Sequence, residues 1–422
     1  MRNRYYVVCL VAACFPALAQ SKLEAGAGKA DITPPVGTPL AGYGARAGGP
    51  STGVRDPLEA RALILAAGAE KLALVAVDHL GYDHAMVERV RDLSAEKASL
   101  PRERIWVMSS HTHAGGGAYL ALFPELAGKF DPKIRAFYEE RAAEAVVNAA
   151  RAMRPARLAV GAGAVPGLSR FRSAWPPGGG PVDPEVGVLR VDDESGNPLA
   201  VLMNFAAHPT VLSARNFQFS ADFPGYARRA LERLLGGNVM ALYANGAQGT
   251  ISPRAFRGSD EWARAENVGV ILAAEAFKIA HMIEPKDAVD LQVRCSPLTL
   301  KPQMPAGIPP GRTLGDTYLS EVCGFTLDRR FAFVTIPGEL SSLLNAAVKE
   351  RGRLLGYERT FLLGLTNDAV GYILSEDEYR HGTYESRISL FGPHFGSTIT
   401  TEASLMLEKL RPPATRESAA GR

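Results

Sequence analysis

Two histidines, His111 and His113, stand one residue apart in the run Ser-Ser-His-Thr-His-Ala-Gly-Gly-Gly that begins at position 109. In an extended chain, residues i and i+2 share a face, so both imidazoles would point the same way. Such a pair can bind a metal ion or transfer a proton, whereas an isolated histidine is more often a hydrogen-bonded core residue. The pair predicts metal binding or catalysis. The three glycines that follow are expected to let a substrate or metal approach the backbone.

Three other polar residues each follow an apolar run that predicts a strand: His208, Glu339 and Tyr372. Each also has a structural alternative. His208 could form a turn before a proline, Glu339 could be a favourable charge opening a helix, and Tyr372 could be a core aromatic. Because ligands bind at the carboxyl ends of strands in α/β sheets, we expect these residues to converge with the histidine pair.

The elements that must position these residues follow from the hydrophobic pattern. Apolar β-branched runs alternate with helix-period segments, which predicts an α/β fold with mixed, partly parallel sheets flanked by helices. Strands are predicted at 60–66, 72–77, 105–108, 158–161, 187–191, 200–205, 239–243, 331–336 and 361–365. Helices are predicted near 133–153, 224–235, 260–282, 339–353 and 400–410. Pro- and Gly-rich stretches at 173–184 and 301–316 predict surface loops that either cover a cleft or only connect strands.

The N-terminus has the pattern of a secretory signal peptide. Arg2 and Arg4 precede an apolar run over 5–16, and Ala17-Leu-Ala19 provides a small-residue cleavage site near Ala19-Gln20. A buried first strand or helix is the alternative. We therefore predict a secreted or periplasmic protein with one catalytic domain over 20–411 and a disordered tail over 412–422.

Composition narrows the classes of partner and of metal site. The chain has 47 basic and 44 acidic residues, and this balance gives no reason to expect nucleic acid or an anionic membrane as partner. We find no second long apolar segment, so no transmembrane span is predicted in the mature chain. Cys295 and Cys323 are the cysteines that remain after cleavage, and they either pair or stay as separate buried thiols. Without a CxxC pattern, a metal site should use His, carboxylate or Tyr ligands.

Six ordered motifs resemble those of the neutral/alkaline ceramidase family and span about residues 24 to 410. They are Gly28-Lys-Ala-Asp-Ile-Thr-Pro-Pro, Ser110-His-Thr-His-Ala-Gly-Gly-Gly, Asn204-Phe-Ala-Ala-His-Pro-Thr with Ser220-Ala-Asp-Phe-Pro-Gly-Tyr-Ala, Asn245-Gly-Ala-Gln-Gly-Thr-Ile-Ser-Pro, Pro337-Gly-Glu, and Asn367-Asp-Ala-Val-Gly-Tyr with Glu378-Tyr and Tyr384-Glu.

The resemblance implies an exported zinc-dependent amidohydrolase that cleaves an N-acyl bond, with a ceramide-like sphingolipid as substrate. One zinc per chain would be held by four residues: His111, His208, Glu339 and Tyr372. Four others would act on the substrate or the attacking water: His113 as proton donor or oxyanion contact, Ser252 beside the water, Tyr384 at the tetrahedral intermediate, and Arg172 on the substrate. A second metal, Ca²⁺ or Mg²⁺, cannot be placed, and the oligomeric state is not predicted.

The chain also departs from the family pattern. Members that cleave ceramide usually carry an additional C-terminal β-sandwich domain, which we expect to be absent because the chain stops soon after the catalytic motifs. The glycine run lacks the family's proline, Thr250 replaces an acidic residue, and Gly382-Thr383 replaces a glutamine. Two alternatives therefore stay open: a zinc hydrolase of another amide or ester, of cell-wall or sugar origin, and a non-catalytic exported binding protein with this fold.

Overall fold

The fold is built on two mixed β-sheets that pack face to face. The computed structural model describes residues 20–254, 257–305, 308–309 and 311–411. The predicted signal peptide (1–19) and C-terminal tail (412–422) lie outside the described residues. The strands are β1 Ser21–Asp31, β2 Gly53–Val54, β3 Glu59–Ala67, β4 Glu70–Val77, β5 Ile105–Ser109, β6 Arg154–Ala164, β7 Ser169–Phe171, β8 Glu185–Asp193, β9 Pro198–Phe205, β10 Gln218–Phe219, β11 Met240–Asn245, β12 Ile251–Pro253, β13 Ala288–Val289, β14 Leu291–Leu300, β15 Tyr318–Leu327, β16 Phe331–Thr335, β17 Glu339–Leu340, β18 Arg359–Leu363 and β19 Tyr372–Ile373. The helices are α1 His84–Ala98, α2 Pro124–Ala127, α3 Pro132–Arg151, α4 Asp222–Leu234, α5 Glu261–Met282, α6 Ser342–Leu354, α7 Glu376–Arg380 and α8 Phe395–Lys409.

The larger sheet has nine strands, eight of them in the order β11-β9-β8-β6-β1-β3-β4-β5, with β13 paired to the start of β1. The pairs β11–β9 and β4–β5 are parallel, and the other pairs are antiparallel. The smaller sheet has the order β14-β15-β16-β18, with β16 and β18 parallel. The predicted α/β class with mixed, partly parallel sheets is confirmed.

Five strands of the larger sheet, β3, β4, β5, β9 and β11, are buried on both faces along most of their length, which explains why their sequences are almost continuously apolar. In β3, Ala62 and Ile64 belong to the apolar core that includes side chains of α1, α3, α4 and α5, whereas Leu63 and Leu65 belong to the core shared with the smaller sheet. The outer face of the smaller sheet is covered by α6 and α8. The result is a four-layer α/β/β/α arrangement in which each sheet is shielded from water.

A disulfide joins Cys295 of β14 to Cys323 of β15, so the alternative of two separate thiols is not what the structure contains. The two cysteines are register partners on adjacent antiparallel strands. The sulfurs lie near Glu321, but because each sulfur is bonded to the other, this group offers no thiolate to a metal.

The nine predicted strands and five predicted helices all occur, with one informative error at the predicted helix over 339–353. Glu339 does not open that helix. It lies in β17, and the helix begins at Ser342, where the side chain of Ser341 accepts a hydrogen bond from Leu343 N. Ser341 is therefore the N-cap, and the prediction placed the start of the helix three residues too early, at the Pro-Gly-Glu pattern.

The two predicted loops are also present. Residues 173–184 form an irregular connection between β7 and β8, and the described residues of 301–316 form no helix or strand. None of the helices among the described residues is both long and apolar enough to cross a bilayer.

His79, directly after β4, is a buried histidine that the sequence did not single out. Its side chain is fully enclosed, with the rings of Tyr82, Tyr119 and Tyr138 at centroid distances of 4.9, 4.3 and 4.9 Å. Burial lowers its pKa to about 3. The folded state therefore holds this ring neutral in a pH range where an unfolded histidine takes up a proton.

We predict that His79→Phe makes the free energy of unfolding less sensitive to acid. Between pH 6.5 and about 4 the unfolded wild type binds a proton that the folded state does not, so acidification destabilises the fold. Phenylalanine removes that proton and should flatten the slope by up to about 1.4 kcal/mol per pH unit. Urea unfolding of metal-free protein at several pH values measures both slopes. They should coincide between pH 7 and 8, and identical slopes from pH 6 to 4 would contradict the prediction.

Candidate metal centre and active site

The carboxyl ends of strands from both sheets meet at one edge, and backbone hydrogen bonds join them there. Asn367 N donates to Val107 O at 2.8 Å, and Gly364 N donates to Asn245 O at 2.8 Å. The buried side-chain amide of Asn204 donates to Leu362 O at 3.0 Å. Segments that are far apart in the chain are therefore held side by side where the polar residues follow their strands.

His111 follows β5 and is fixed by the segment after β4. Its N–H donates to His79 O at 2.9 Å, and its Nδ1 lies 2.7 Å from Leu80 O. Because a carbonyl only accepts, Nδ1 carries the proton and Nε2 presents a lone pair. The backbone of His111 is left-handed, with φ 70°, so the expectation of an extended His-x-His segment is wrong. The two rings nevertheless lie together, with centroids 4.8 Å apart.

His208, after β9, is oriented in the same manner and has no exposed surface. Its Nδ1 lies 2.7 Å from Gln248 O and 3.2 Å from Ile251 O, which fixes the proton on Nδ1 and leaves a lone pair on Nε2. Burial, followed by the charge of Arg172, lowers the pKa of His208 to about 4. The ring is therefore neutral near pH 7, as a metal ligand must be.

Glu339 and Tyr372 are brought together by the short parallel pairing of β17 with β19, in which they are register partners. Glu339 Oε2 lies 3.2 Å from His111 Nε2 and 2.9 Å from His208 Nε2. Although burial alone would raise it, the pKa of Glu339 is held well below its usual range by the two imidazoles. Burial and the charge of Glu339 raise the pKa of Tyr372 well above its usual value, so its phenol keeps its proton.

The nitrogen and oxygen atoms of these side chains fit a metal ion as ligands. Among the described residues no aligned hydrogen-bond donor reaches Glu339 Oε2, although the atom is buried. The Nε2 lone pairs of two imidazoles lie 3.2 and 2.9 Å from this oxygen, an arrangement that favours a cation between the three atoms. Arg172 Nη2 and Tyr372 Oη also approach one of them, His208 Nε2, at 3.1 and 3.4 Å. Histidine nitrogen and carboxylate oxygen are the ligand types of catalytic zinc sites.

His113 lies beside these ligand residues, and His111, His113, His208, Glu339 and Tyr372 are together called the cluster below. Ligand nitrogens of His111, His113 and His208 lie within 4.8 Å of one another, a group that could hold a metal ion. Both ring nitrogens of His113 are buried without a partner in the described part of the chain. Burial, followed by the neighbouring His111, holds its pKa well below the usual value, so the neutral ring can donate one N–H.

The position of His113 depends on a glycine. Gly42 has a φ of +106°, in the left-handed region that favours glycine, and a Cβ there would lie 2.6 Å from His113 Cγ. The ring of Tyr43 also packs against His113, with centroids 4.7 Å apart. By contrast, Gly115, Gly116 and Gly117 pack against protein groups rather than leaving room for a ligand, so that expectation is wrong.

Arg172 lies directly at the cluster. Its Nη2 donates to Tyr372 Oη at 2.8 Å and to Gly249 O at 3.0 Å, and it is 3.1 Å from His208 Nε2. Burial opposes its charge, but Tyr372 and Glu339 raise its pKa. A metal ion on His208 Nε2 would use the lone pair that now faces Arg172.

Ser252 and Tyr384 are the two remaining predicted site residues. Ser252 follows Ile251, whose carbonyl accepts from His208 N at 3.0 Å, so the backbone places this serine beside His208. Tyr384 is 62% exposed, and its ring centroid lies 6.4 Å from that of Tyr372. The structure therefore groups His111, His113, His208, Glu339, Tyr372 and Arg172 closely and sets Tyr384 at the solvent edge.

An apolar cavity of about 500 Å³ opens from the cluster, with His111, Glu339 and Tyr372 in its wall. Thirteen of the other twenty-two residues of the wall are aliphatic: Leu80, Ala85, Leu120, Ala121, Leu122, Leu126, Leu314, Leu319, Leu365, Ala369, Val370, Ile388 and Leu390. A cavity of this size and lining suits an apolar chain attached to a group at the cluster.

Asn245, at the end of β11, has a positioning role that the sequence did not assign to it. Its fully buried amide donates to Ser110 O at 3.0 Å and to Ala207 O at 3.1 Å, the carbonyls directly before His111 and His208. One side chain therefore ties the two histidine segments together. The signal available in the sequence was a polar residue that ends the apolar run Met240-Ala-Leu-Tyr-Ala.

We predict that Asn245→Asp weakens divalent metal binding roughly 10- to 100-fold, because a carboxylate cannot donate to either carbonyl and the two histidines lose their common support. Titration of the metal-free variant with Zn²⁺ by calorimetry measures the affinity. Asn148→Asp is the matched control, since its amide also donates to a carbonyl, Lys29 O at 3.2 Å, but far from the cluster. Equal affinities for Asn245→Asp and wild type would refute the positioning role.

Comparisons with known proteins agree with this geometry. Residues 23–261, more than half of the chain, match the family model for neutral/alkaline non-lysosomal ceramidase, N-terminal. Neutral ceramidase A of Dictyostelium discoideum is 25% identical over 55% of this chain, and neutral ceramidase of Mycobacterium tuberculosis is 27% identical over 55%. These matches cover 36% and 40% of the two relatives, so the chain aligns with less than half of each.

The fold is shared over a longer stretch than the sequence. The crystal structure of neutral ceramidase from Pseudomonas aeruginosa superimposes on 94% of this chain and 76% of its own, with a TM-score of 0.79 and 20% identity. A ceramidase structure complexed with C2 gives 0.78 over 94% of this chain and 77% of its own, at 19% identity. On the family match, this chain belongs to the neutral/alkaline non-lysosomal ceramidase family.

Proposed function

We propose that the protein is an exported, zinc-dependent amidohydrolase that cleaves an N-acyl bond, with a ceramide-like sphingolipid as the family-based substrate. The observation that carries this proposal is the position of the buried acceptor cluster in the wall of an apolar cavity. A metal centre next to an apolar cavity suits a substrate that joins a polar scissile group to a long chain. Residues 20–411 would act as one catalytic unit.

The proposed ligands of the single zinc are His111, His208, Glu339 and Tyr372. Zinc in such a site polarises a carbonyl and lowers the pKa of water towards roughly 7. The hydrogen bonds from His111 to Leu80 O and from His208 to Gln248 O support this assignment, because they direct both Nε2 lone pairs into the cluster.

The remaining polar groups have roles that follow from their protonation and position. The neutral ring of His113 can donate its N–H to the oxygen that becomes negative when the amide is attacked. Arg172 is charged and bonded to Tyr372, so it can hold the substrate against the cluster. Tyr384, at the solvent edge, would have to approach once substrate is bound, and Ser252 would orient the attacking water beside His208.

The test of zinc dependence is metal analysis coupled to fatty-acid release from an N-acyl sphingosine. We expect about one zinc per chain in wild type. His208→Gln should lose the zinc, because a ligand is removed, and its activity should fall roughly 100-fold or more. His281→Gln, an exposed histidine of α5, is the matched control and should keep both. Absence of zinc from wild type, with activity that survives chelation, would exclude the proposal.

The same assay separates the two alternatives. Release from an ester or a non-lipid amide while ceramides stay intact would keep the metal chemistry and change the substrate. Full zinc occupancy with no hydrolysis of any substrate in a wide panel would favour a binding protein.

Export is a separate part of the proposal, supported by the signal-peptide pattern and by the Cys295–Cys323 disulfide, because disulfides persist in oxidising compartments. Expression of the full chain in a Gram-negative host should give a periplasmic or secreted protein whose N-terminus lies near Gln20. N-terminal sequencing and cell fractionation measure this. An uncleaved N-terminus on cytoplasmic protein, with the two cysteines reactive towards a thiol reagent, would contradict export.

A further inference from the structure

Arg172 and Tyr384 lie on two segments that contact each other beside the cluster. Arg172 follows β7, and Tyr384 directly precedes Glu385, the first residue of a short 3-10 turn. The Glu385 side chain is buried, with the residue only 3% exposed. Its Oε1 lies 3.7 Å from Arg172 Nε, and its Oε2 accepts a hydrogen bond from Ser173 Oγ at 3.2 Å. Glu385 therefore joins the segment that carries Tyr384 to the segment that carries Arg172.

An aromatic contact joins the same two segments nearer the surface. The ring of the half-buried Trp175 stacks on that of the exposed His381, with centroids 4.6 Å apart and an angle of 26° between the planes. This contact holds the segments together but does not involve the guanidinium of Arg172. Glu385 is thus the residue of this interface that can direct Arg172.

The guanidinium of Arg172 divides its contacts between the cluster and Glu385. Nη2 faces the cluster, at 2.8 Å from Tyr372 Oη and 3.1 Å from His208 Nε2. Nε is also buried and has no aligned acceptor among the described residues. The carboxylate paired with this nitrogen is that of Glu385. The two ends of the contact network are therefore a group at the cluster and a carboxylate outside it.

A metal ion in the cluster would make the position of Arg172 depend more on Glu385. The ion would take the lone pair of His208 Nε2 and balance the negative charge of Glu339, both of which now favour the guanidinium or its charge. A buried cation without a counter-charge is costly. Glu385 would then be the carboxylate that balances Arg172 in the loaded site.

We propose that Glu385 is a positioning residue for Arg172: it holds the guanidinium beside Tyr372, where it can contact the substrate, without itself touching substrate or metal. The inference rests on the proposed amidohydrolase function, in which Arg172 holds the substrate, and adds to it the residue through which Arg172 is placed. Because Glu385 follows Tyr384, the same ion pair also sets the distance between the two substrate-contacting segments.

The pairing is tested on metal-free protein by a double-mutant cycle of Glu385→Gln and Arg172→Met, measured as the urea concentration at the midpoint of unfolding. Each single variant should have a lower midpoint than wild type, because one buried charge loses its partner. The double variant should be no less stable than the weaker single variant, because both charges are gone. Losses that add in the double variant would show that the two side chains do not interact, and would overturn the proposal.

The positioning role is tested on the zinc-loaded protein with an N-acyl sphingosine. Glu385→Gln should raise KM roughly tenfold and keep kcat within about threefold of wild type, because a loosened Arg172 weakens substrate binding while the metal ligands stay in place. In the Arg172→Met background the same substitution should change kcat/KM less than about twofold. A fall in kcat with KM unchanged, or a further tenfold loss in the double variant, would overturn the proposal.

Ser173→Ala is the second variant, for use even if Glu385→Gln does not fold. It removes the hydrogen bond to Glu385 Oε2 without changing any charge, and it should raise KM about threefold because the carboxylate is held less firmly. A KM equal to that of wild type would contradict the positioning role.

Glu358→Gln is the matched control. Glu358 also pairs with an arginine, accepting from Arg330 Nη2 at 2.9 Å, but at the surface beside the first residue of β18. Its KM and kcat should match those of wild type. If wild type hydrolyses no N-acyl amide, the amidohydrolase proposal fails, and the unfolding cycle alone decides whether Glu385 holds Arg172.

Discussion

The central constraint of this structure is that two imidazole nitrogens meet one buried carboxylate oxygen, and no aligned hydrogen-bond donor of the described residues reaches that oxygen. The lone pairs of His111 Nε2 and His208 Nε2 converge on Glu339 Oε2 at 3.2 and 2.9 Å, and the carboxylate oxygen is buried. Such a group costs free energy unless a cation completes it. The surrounding carbonyls of Leu80 and Gln248 take the other ring proton of each histidine, so neither ring can relieve the repulsion by moving its proton.

The fold maintains this arrangement because two sheets end at the same place. His111 and His208 come from the larger sheet, while Glu339 and Tyr372 come from the short pairing of β17 with β19 beyond the smaller sheet. Asn245 joins the two histidine segments, and the bond from Asn367 N to Val107 O joins the sheets. Movement of one sheet relative to the other would separate the ligands, so packing between the sheets and the geometry of the cluster depend on each other.

Much of the fold and of the ligand set could be predicted from the sequence. Each feature that the sequence did not predict has a specific physical reason. The strands that carry the site were predictable because burial on both faces makes them continuously apolar, and the family motifs identified His208, Glu339 and Tyr372, which are ambiguous when considered singly. The left-handed backbone of His111 could not be predicted, since residues other than glycine uncommonly adopt it and hydrogen bonds to His79 and Leu80 hold it here. The cavity was also out of reach, because its wall combines side chains from segments separated by hundreds of residues.

The most direct test of the central claim is X-ray absorption spectroscopy at the zinc edge on protein loaded with one equivalent of zinc. Ligation by His111, His208, Glu339 and Tyr372 predicts a first shell of nitrogen and oxygen at about 2.0–2.2 Å with the multiple-scattering signal of two imidazoles. That signal should weaken to one imidazole in His208→Gln. A shell of oxygen alone, or a signal from three imidazoles that would make His113 a ligand, would contradict the account.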